Sequence, residues 1–185
     1  MIRQIDNLFI LDTNHTTYAF HVLETGHLEH IYYGKRIQIN SKLEAISLIE
    51  KRVVLPGNTV YYNDENKALG LEDVCLEMSS YGKGDIRDPF IEVTHKDGST
   101  TSDFLFQKAQ IRQGKTKLKT LPSSYEENNR VDELVITLID KNYDLTLELI
   151  YSVFLDHDVI TRSSKLINTS KDKITLQRLM SNQID

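Results

Sequence analysis

From Val131 onward apolar and polar residues alternate. Leu134, Ile136 and Leu138 share one face, Lys141-Asn142 interrupts the run, and Leu145, Leu147, Leu149, Tyr151, Val153 and Leu155 resume it. A period of two belongs to strands buried on one side, so a long antiparallel pair is predicted here. Asp156-His157-Asp158 predicts the next corner, residues 159–168 a further strand, Thr169-Ser170-Lys171-Asp172 a turn, and residues 174–180 a last strand with Ile174, Leu176 and Met180 on one face. At the other end, residues 8–11, 17–23 and 28–33 read as a strand meander, broken at Asp12-Thr13-Asn14 and Glu24-Thr25-Gly26. Residues 90–95 and 100–111 flank Lys96-Asp97-Gly98, and Asp-Gly supplies the positive φ of a tight hairpin.

One helix interrupts this pattern. Ser41-Lys42-Leu43-Glu44 has the Ser-x-x-Glu form of a capping box, and Leu43, Ile46 and Ile49 recur at every third position, which predicts a short helix ending near Lys51 or Arg52. Residues 56–73, with Pro56-Gly57-Asn58 and a run of Asn, Asp and Glu, and the polar residues 113–129 are predicted as loops. No crossover helices separate the strands, so the fold class is mainly β: an antiparallel β-sandwich with one short helix.

Composition narrows the function classes. A chain of 185 residues with 39% hydrophobic residues fits one domain with a real core. A net charge of −5 argues against a nucleic-acid partner. Cys75 is the single cysteine, which excludes an intrachain disulfide and a four-cysteine zinc site and fits a reducing cytoplasm. The apolar run at residues 8–11 is too short for a signal sequence and no segment approaches membrane-spanning length, so a cytoplasmic protein without membrane contact is expected.

The most unusual stretch is residues 81–90, Tyr-Gly-Lys-Gly-Asp-Ile-Arg-Asp-Pro-Phe. Gly82 and Gly84 permit positive φ, Pro89 restrains Asp88, and the guanidinium of Arg87 could pair with Asp85 or clamp a neighbouring loop. These five residues, Gly82, Gly84, Asp85, Arg87 and Pro89, are read as a structural turn. The spacing fits no phosphate-binding loop, and a charged pair in a glycine-rich turn favours anchoring over a catalytic carboxylate at Asp85 or Asp88. His15, His21, His27 and His30 have no recognised metal-site spacing and read as surface or strand-end residues, with no metal or cofactor expected. Asp156-His157-Asp158 reads as a corner, where Asp is favoured for turn hydrogen bonds. No serine stands in a nucleophile context such as Gly-x-Ser-x-Gly.

Three groups of residues carry a resemblance. Thr17-Tyr18, Gly26-His27-Leu28-Glu29-His30-Ile31-Tyr32-Tyr33-Gly34-Lys35, and the run from Leu76 through Gly82-Lys83-Gly84-Asp85-Ile86-Arg87-Asp88-Pro89 resemble the N-terminal region of the family 36 glycoside hydrolases, the α-galactosidases. Leu121-Pro122, Asp158-Val159-Ile160-Thr161-Arg162-Ser163, Ile167-Asn168, Ile174-Thr175-Leu176, Ser181 and Asp185 agree in order, so the resemblance runs from about Leu8 to Asp185. It implies that residues 1–185 form part of a β-supersandwich that precedes a (β/α)₈ catalytic barrel, with the supersandwich itself incomplete and the barrel absent. It implies a retaining enzyme acting on terminal α-galactosides such as melibiose and raffinose, whose two catalytic aspartates lie on the barrel and have no counterpart here. The fragment alone is then inactive, supporting the barrel and the contacts of a homo-oligomer. Where many members carry Asp-Arg in the loop lining the substrate entrance, this chain has Asn66-Lys67, which makes Lys67 the substrate-entrance candidate. Two other readings remain beside it: a free-standing carbohydrate-binding sandwich using Tyr61, Tyr62 or Tyr125 as stacking surfaces, and an oligomerisation module built on strand edges.

Overall fold

The computed structural model describes residues 1–49, 60–118, 120–126 and 130–183. Four strands, β1 (Ile2–Ile5), β2 (Leu8–Asp12), β3 (Thr16–Val22) and β4 (Leu28–Lys35), form an antiparallel meander in that order. A second four-stranded antiparallel sheet takes β6 (Leu105–Gln113), β7 (Val131–Asp140), β8 (Leu145–Phe154) and β9 (Val159–Asn168), also in sequence order. Between them, β5 (Ile91–Thr94) pairs with β10 (Thr175–Leu179).

The sheets meet through one core. Phe9, Leu11, Tyr18 and Phe20 of the first sheet pack with Leu134, Ile136, Leu147, Leu149 and Tyr151 of the second, joined by Ile91 and Val93 of β5 and by Phe90 just before it. Phe20 stacks on Phe9 and on Tyr151, both at 5.2 Å between ring centroids. The alternation of β8 therefore has a direct cause, because its odd positions fill the space between the sheets.

β2 does not alternate; all five of its residues are buried. Its second face, with Leu8 and Ile10, lies under a smaller cluster containing Ala19, Ile31, Ile39 and Ala45. The lid on that cluster is the helix α1 (Lys42–Ile46). Ser41 Oγ accepts the Glu44 amide at 3.2 Å and the Glu44 carboxylate accepts the Asn40 amide at 2.7 Å, so the helix starts where the capping pattern places it. It is shorter than expected and turned differently: Ala45 and Ile49 face the sheet, whereas Leu43 is 81% exposed. The positions expected for its end, Lys51 and Arg52, and the Pro56-Gly57-Asn58 turn lie outside the described residues.

Two strand expectations change. β1 was not anticipated, because only Ile2 and Ile5 of its four residues are apolar. The turn at Asp97-Gly98 forms, with the Gly98 amide donating to the His95 carbonyl at 3.0 Å and Gly98 at φ 82°, but the segments on either side do not make a hairpin. β5 pairs instead with β10 and β6 with β7, because the chain diverges after Ser99 to bury Ser102 and Phe104.

The long excursion after β6 folds back onto the outer face of its own sheet. Its anchor is Glu133 on β7, only 1% exposed, which accepts from the Thr116 amide (2.9 Å), the Thr116 hydroxyl (2.6 Å) and Arg112 Nε (2.7 Å). Burial pushes the Glu133 carboxyl up, but the hydrogen bonds from Thr116 and Arg112 outweigh it and hold the group below its usual range. Glu133→Ala removes the anchor of a segment that has little apolar burial of its own. Amide hydrogen exchange over residues 114–118 is expected to speed up by about tenfold or more, as loss of a charge-assisted hydrogen bond implies. Unchanged protection there would show that the excursion is held by something other than Glu133.

Candidate functional site

Residues 81–90 form a tight loop. Gly82 has φ +97°, and a Cβ there would lie 2.6 Å from Thr101 Cγ2, so both conformation and space require glycine. Asp85 Oδ1 accepts from the Arg87 amide at 3.1 Å and from its Nε at 2.9 Å, and Oδ2 accepts from Nη2 at 3.0 Å. The same guanidinium reaches out of the loop, donating to the Val74 carbonyl at 2.6 Å and the Leu71 carbonyl at 2.7 Å. Arg87 therefore ties this loop to the segment preceding it, and Asp85 is fully occupied in orienting it. Pro89 is buried, and Asp88 faces solvent, paired with Arg178 at 3.0 Å.

Lys83 approaches Asp103 at 3.5 Å and lies 5.4 Å from the centre of the Tyr62 ring. Asp103 also accepts from the Tyr62 hydroxyl at 2.9 Å and lies 3.3 Å from His27 Nε2. Tyr62 is thereby held edge-on to His27 rather than free for stacking, and burial with the Asp103 charge pushes its phenol well above the ordinary range. Tyr61 and Tyr125 are exposed.

Lys67 follows an Asx turn in which the Asn63 side-chain oxygen accepts the amides of Glu65 (3.1 Å) and Asn66 (2.8 Å). Leu69 behind it packs against Leu71, Val74 and Leu76. This places the exposed Lys67 at the rim of a cavity of about 480 Å³, lined also by His21, Thr25, Lys42, Ile46 and Leu69. The ammonium groups of Lys42 and Lys67 share this lining with the carboxylates of Glu24 and Glu65 and an apolar patch, a mixed wall that suits contact with a polar ligand or a neighbouring chain.

The histidines separate, each to its own carboxylate: His15 to Asp158 and His21 to Glu29, His27 to Asp103 and His30 to Glu77. His21 and His27 sit at strand ends, beside the end of β3 and the start of β4, but they are buried, which corrects their reading as surface residues; carboxylate partners allow the rings inside. No group of three metal-binding side chains occurs among the described residues.

The most concentrated charge chemistry was missed in the sequence. Glu77, with a fully buried side chain, accepts from the hydroxyls of Tyr18 (2.7 Å) and Tyr151 (2.6 Å), lies 2.8 Å from His30 Nδ1, and pairs with Arg162 Nη1 at 3.2 Å. Arg162 Nη2 also donates to the Glu77 carbonyl at 2.6 Å, and the guanidinium sits near the rings of Tyr151 (4.9 Å) and Phe90 (5.4 Å). Burial pushes the Glu77 carboxyl up, but the His30 hydrogen bond and the Arg162 charge outweigh it and lower it. Burial, with the Glu77 charge, raises both phenols far above their ordinary values. A carboxylate so enclosed joins β3, β4, β8 and β9 and has no opening for a substrate. The available signal was a lone Glu in the apolar run Val74-Cys75-Leu76-Glu77-Met78, and an Arg on the inward-facing row of β9.

Known proteins share this fold. The chain is 33% identical over 171 residues to the bifunctional α-galactosidase/sucrose kinase of Mediterraneibacter gnavus, covering 92% of this chain and 18% of that protein. It is 28% identical over 178 residues to an α-galactosidase of Geobacillus stearothermophilus, covering 96% of this chain and 24% of the relative. The crystal structure of the α-galactosidase from Lactobacillus brevis superimposes with a TM-score of 0.88 at 33% identity, over 96% of this chain and 23% of that one. The chain thus spans about a fifth to a quarter of the length of these relatives. Residues 26–185 match the glycosyl hydrolase family 36 N-terminal domain, and the chain belongs to that family.

Proposed function

We propose that the chain is the N-terminal, non-catalytic part of a retaining α-galactosidase that acts on terminal α-galactosides of the melibiose and raffinose type. The observation that carries this reading is the coverage: nearly the whole chain aligns with under a quarter of the Lactobacillus brevis enzyme, in fold as well as sequence. A related Geobacillus stearothermophilus enzyme has been crystallised in complex with raffinose. The carboxylates support a scaffolding role. Retaining hydrolysis needs two carboxyl groups roughly 5–5.5 Å apart across a sugar, and Asp85 and Glu77 are each committed to an arginine. On this reading the catalytic barrel lies outside residues 1–185, which make up only part of the supersandwich. Lys67 faces the substrate entrance, and the domain contributes to the contacts of a cytoplasmic homo-oligomer. Among the described residues no helix is long and apolar enough to cross a membrane.

The test is hydrolysis of a chromogenic α-galactoside by the purified 185-residue chain. No turnover is expected. Turnover proportional to protein and abolished by Asp85→Asn would overturn the assignment, because a carboxylate described here as an anchor would then carry the chemistry.

A further inference from the structure

At one end of the second sheet, two separately braced loops enclose a cavity of about 310 Å³ that none of the roles above uses. Its floor is apolar, formed by Val131 and Phe154, which lie opposite each other in the β7–β8 register. One wall is the returning excursion, which presents Tyr125, 76% exposed, and Glu126. The other wall is the 3-10 turn Leu155–His157, whose Asp156 pairs with Arg130 at 2.9 Å.

Both walls are fixed from outside the cavity. Glu126 Oε1 accepts the Lys115 amide at 3.2 Å, within the excursion that Glu133 anchors. Behind the turn, Asp158 holds a left-handed conformation and grips the β2–β3 turn, accepting from the Thr13 hydroxyl and the His15 amide at 2.7 Å each. Its second oxygen lies 2.7 Å from His15 Nδ1, and these contacts hold the Asp158 carboxyl down at about 2. The Asn14 amide donates to the Leu155 carbonyl at 3.3 Å, so the turn is latched at two points. A cavity with braced walls does not need to be ordered by its ligand, which lowers the entropic cost of binding.

The chemistry of the lining selects the ligand. An exposed phenol ring and an apolar floor match the C–H face of a pyranose, and the carboxylates and the imidazole of His157 match its hydroxyls. The one guanidinium is already committed to Asp156, so a phosphate or carboxylate ligand would meet a net negative rim. We infer that this cavity, between Tyr125 and the Leu155–His157 turn, is a binding site for a neutral saccharide.

The experiment is titration of the isotope-labelled 185-residue chain with melibiose and raffinose, followed by amide NMR, with glucose 6-phosphate as the anionic comparison. Saturable shifts confined to residues 125, 126, 130, 131 and 154–157 are expected, with Kd on the order of 1 mM. Tyr125→Ala, at an exposed position that leaves the fold intact, is expected to weaken binding by about tenfold. Tyr61→Ala, which removes another exposed phenol, leaves it unchanged. The inference is overturned if neither sugar gives saturable shifts at these amides, if Tyr125→Ala binds equally well, or if the sugar phosphate binds more tightly. Shifts at the same amides that follow protein concentration and ignore sugar would assign the cavity to a second copy of the chain, and would equally overturn it.

Discussion

Glu77→Gln lowers the stability of the fold by about 3–5 kcal/mol, the penalty typical of breaking a buried ion pair by removing one charge. The reason is what remains. Arg162, 6% exposed at its side chain, keeps its charge in the interior without a countercharge, and the new amide group turns a donor toward Tyr18, Tyr151 or His30 where an acceptor stood. For a chain of this size the loss corresponds to a melting temperature lower by roughly 10 °C. The pH dependence follows from the lowered Glu77 carboxyl. Its contribution is present in full above the ordinary glutamate value of 4.5 and is lost as pH falls from there through the folded-state value. Urea unfolding at a series of pH values from neutral to strongly acid tests both parts: the wild-type chain loses stability in that window, and the curve of the variant is flatter there. Equal midpoints at neutral pH would show that the buried charges do not depend on one another.

Arg87→Ala costs about 3 kcal/mol, because one side chain closes the Asp85 loop and also holds the carbonyls of Leu71 and Val74. Asp85, whose side chain is 1% exposed, is left as a buried carboxylate without its fork. Arg87→Lys recovers less than half of the loss, since an ammonium is a single point of charge and cannot reach Asp85 and two carbonyls in different directions. Asp88→Ala, at the next residue and facing solvent, stays within about 0.5 kcal/mol of wild type. Equilibrium denaturation of the three variants gives the comparison. An Arg87→Lys variant as stable as wild type would show that charge alone, without the planar fork, closes the loop.

These two residues also mark the limit of what the sequence discloses. The β7–β8 pair was legible because each strand buries one face and so alternates, with Leu134 and Ile136 opposite Tyr151 and Leu149. β2 shows no alternation because helix α1 covers its second face, a fact about packing that no local pattern carries. The turn chemistry at Asp97-Gly98 was read correctly as chemistry and wrongly as topology. Its local hydrogen bonds form, but the edge of β5 goes to β10, some eighty residues later. Glu77 could be recognised as a charge in an apolar run, yet its partner Arg162 comes 85 residues later in the chain. The resemblance of residues 76–89 to the family identified the domain without revealing this pairing, because the motif lies in the loops before β5 and its partner on β9.

The same pairing sets an order of events during synthesis. β1 to β4 leave the ribosome first, but the carboxylate that will hold them waits for Tyr151 and then for Arg162, the latter about 130 residues after β4 ends. At 5–20 residues per second, translation needs roughly 6–25 s to deliver those partners. Through that interval the apolar face of the first sheet, with Phe9, Leu11 and Phe20, has no opposing sheet to cover it. The nascent chain thus exposes a hydrophobic surface of the type chaperones bind, on a timescale far longer than hairpin formation.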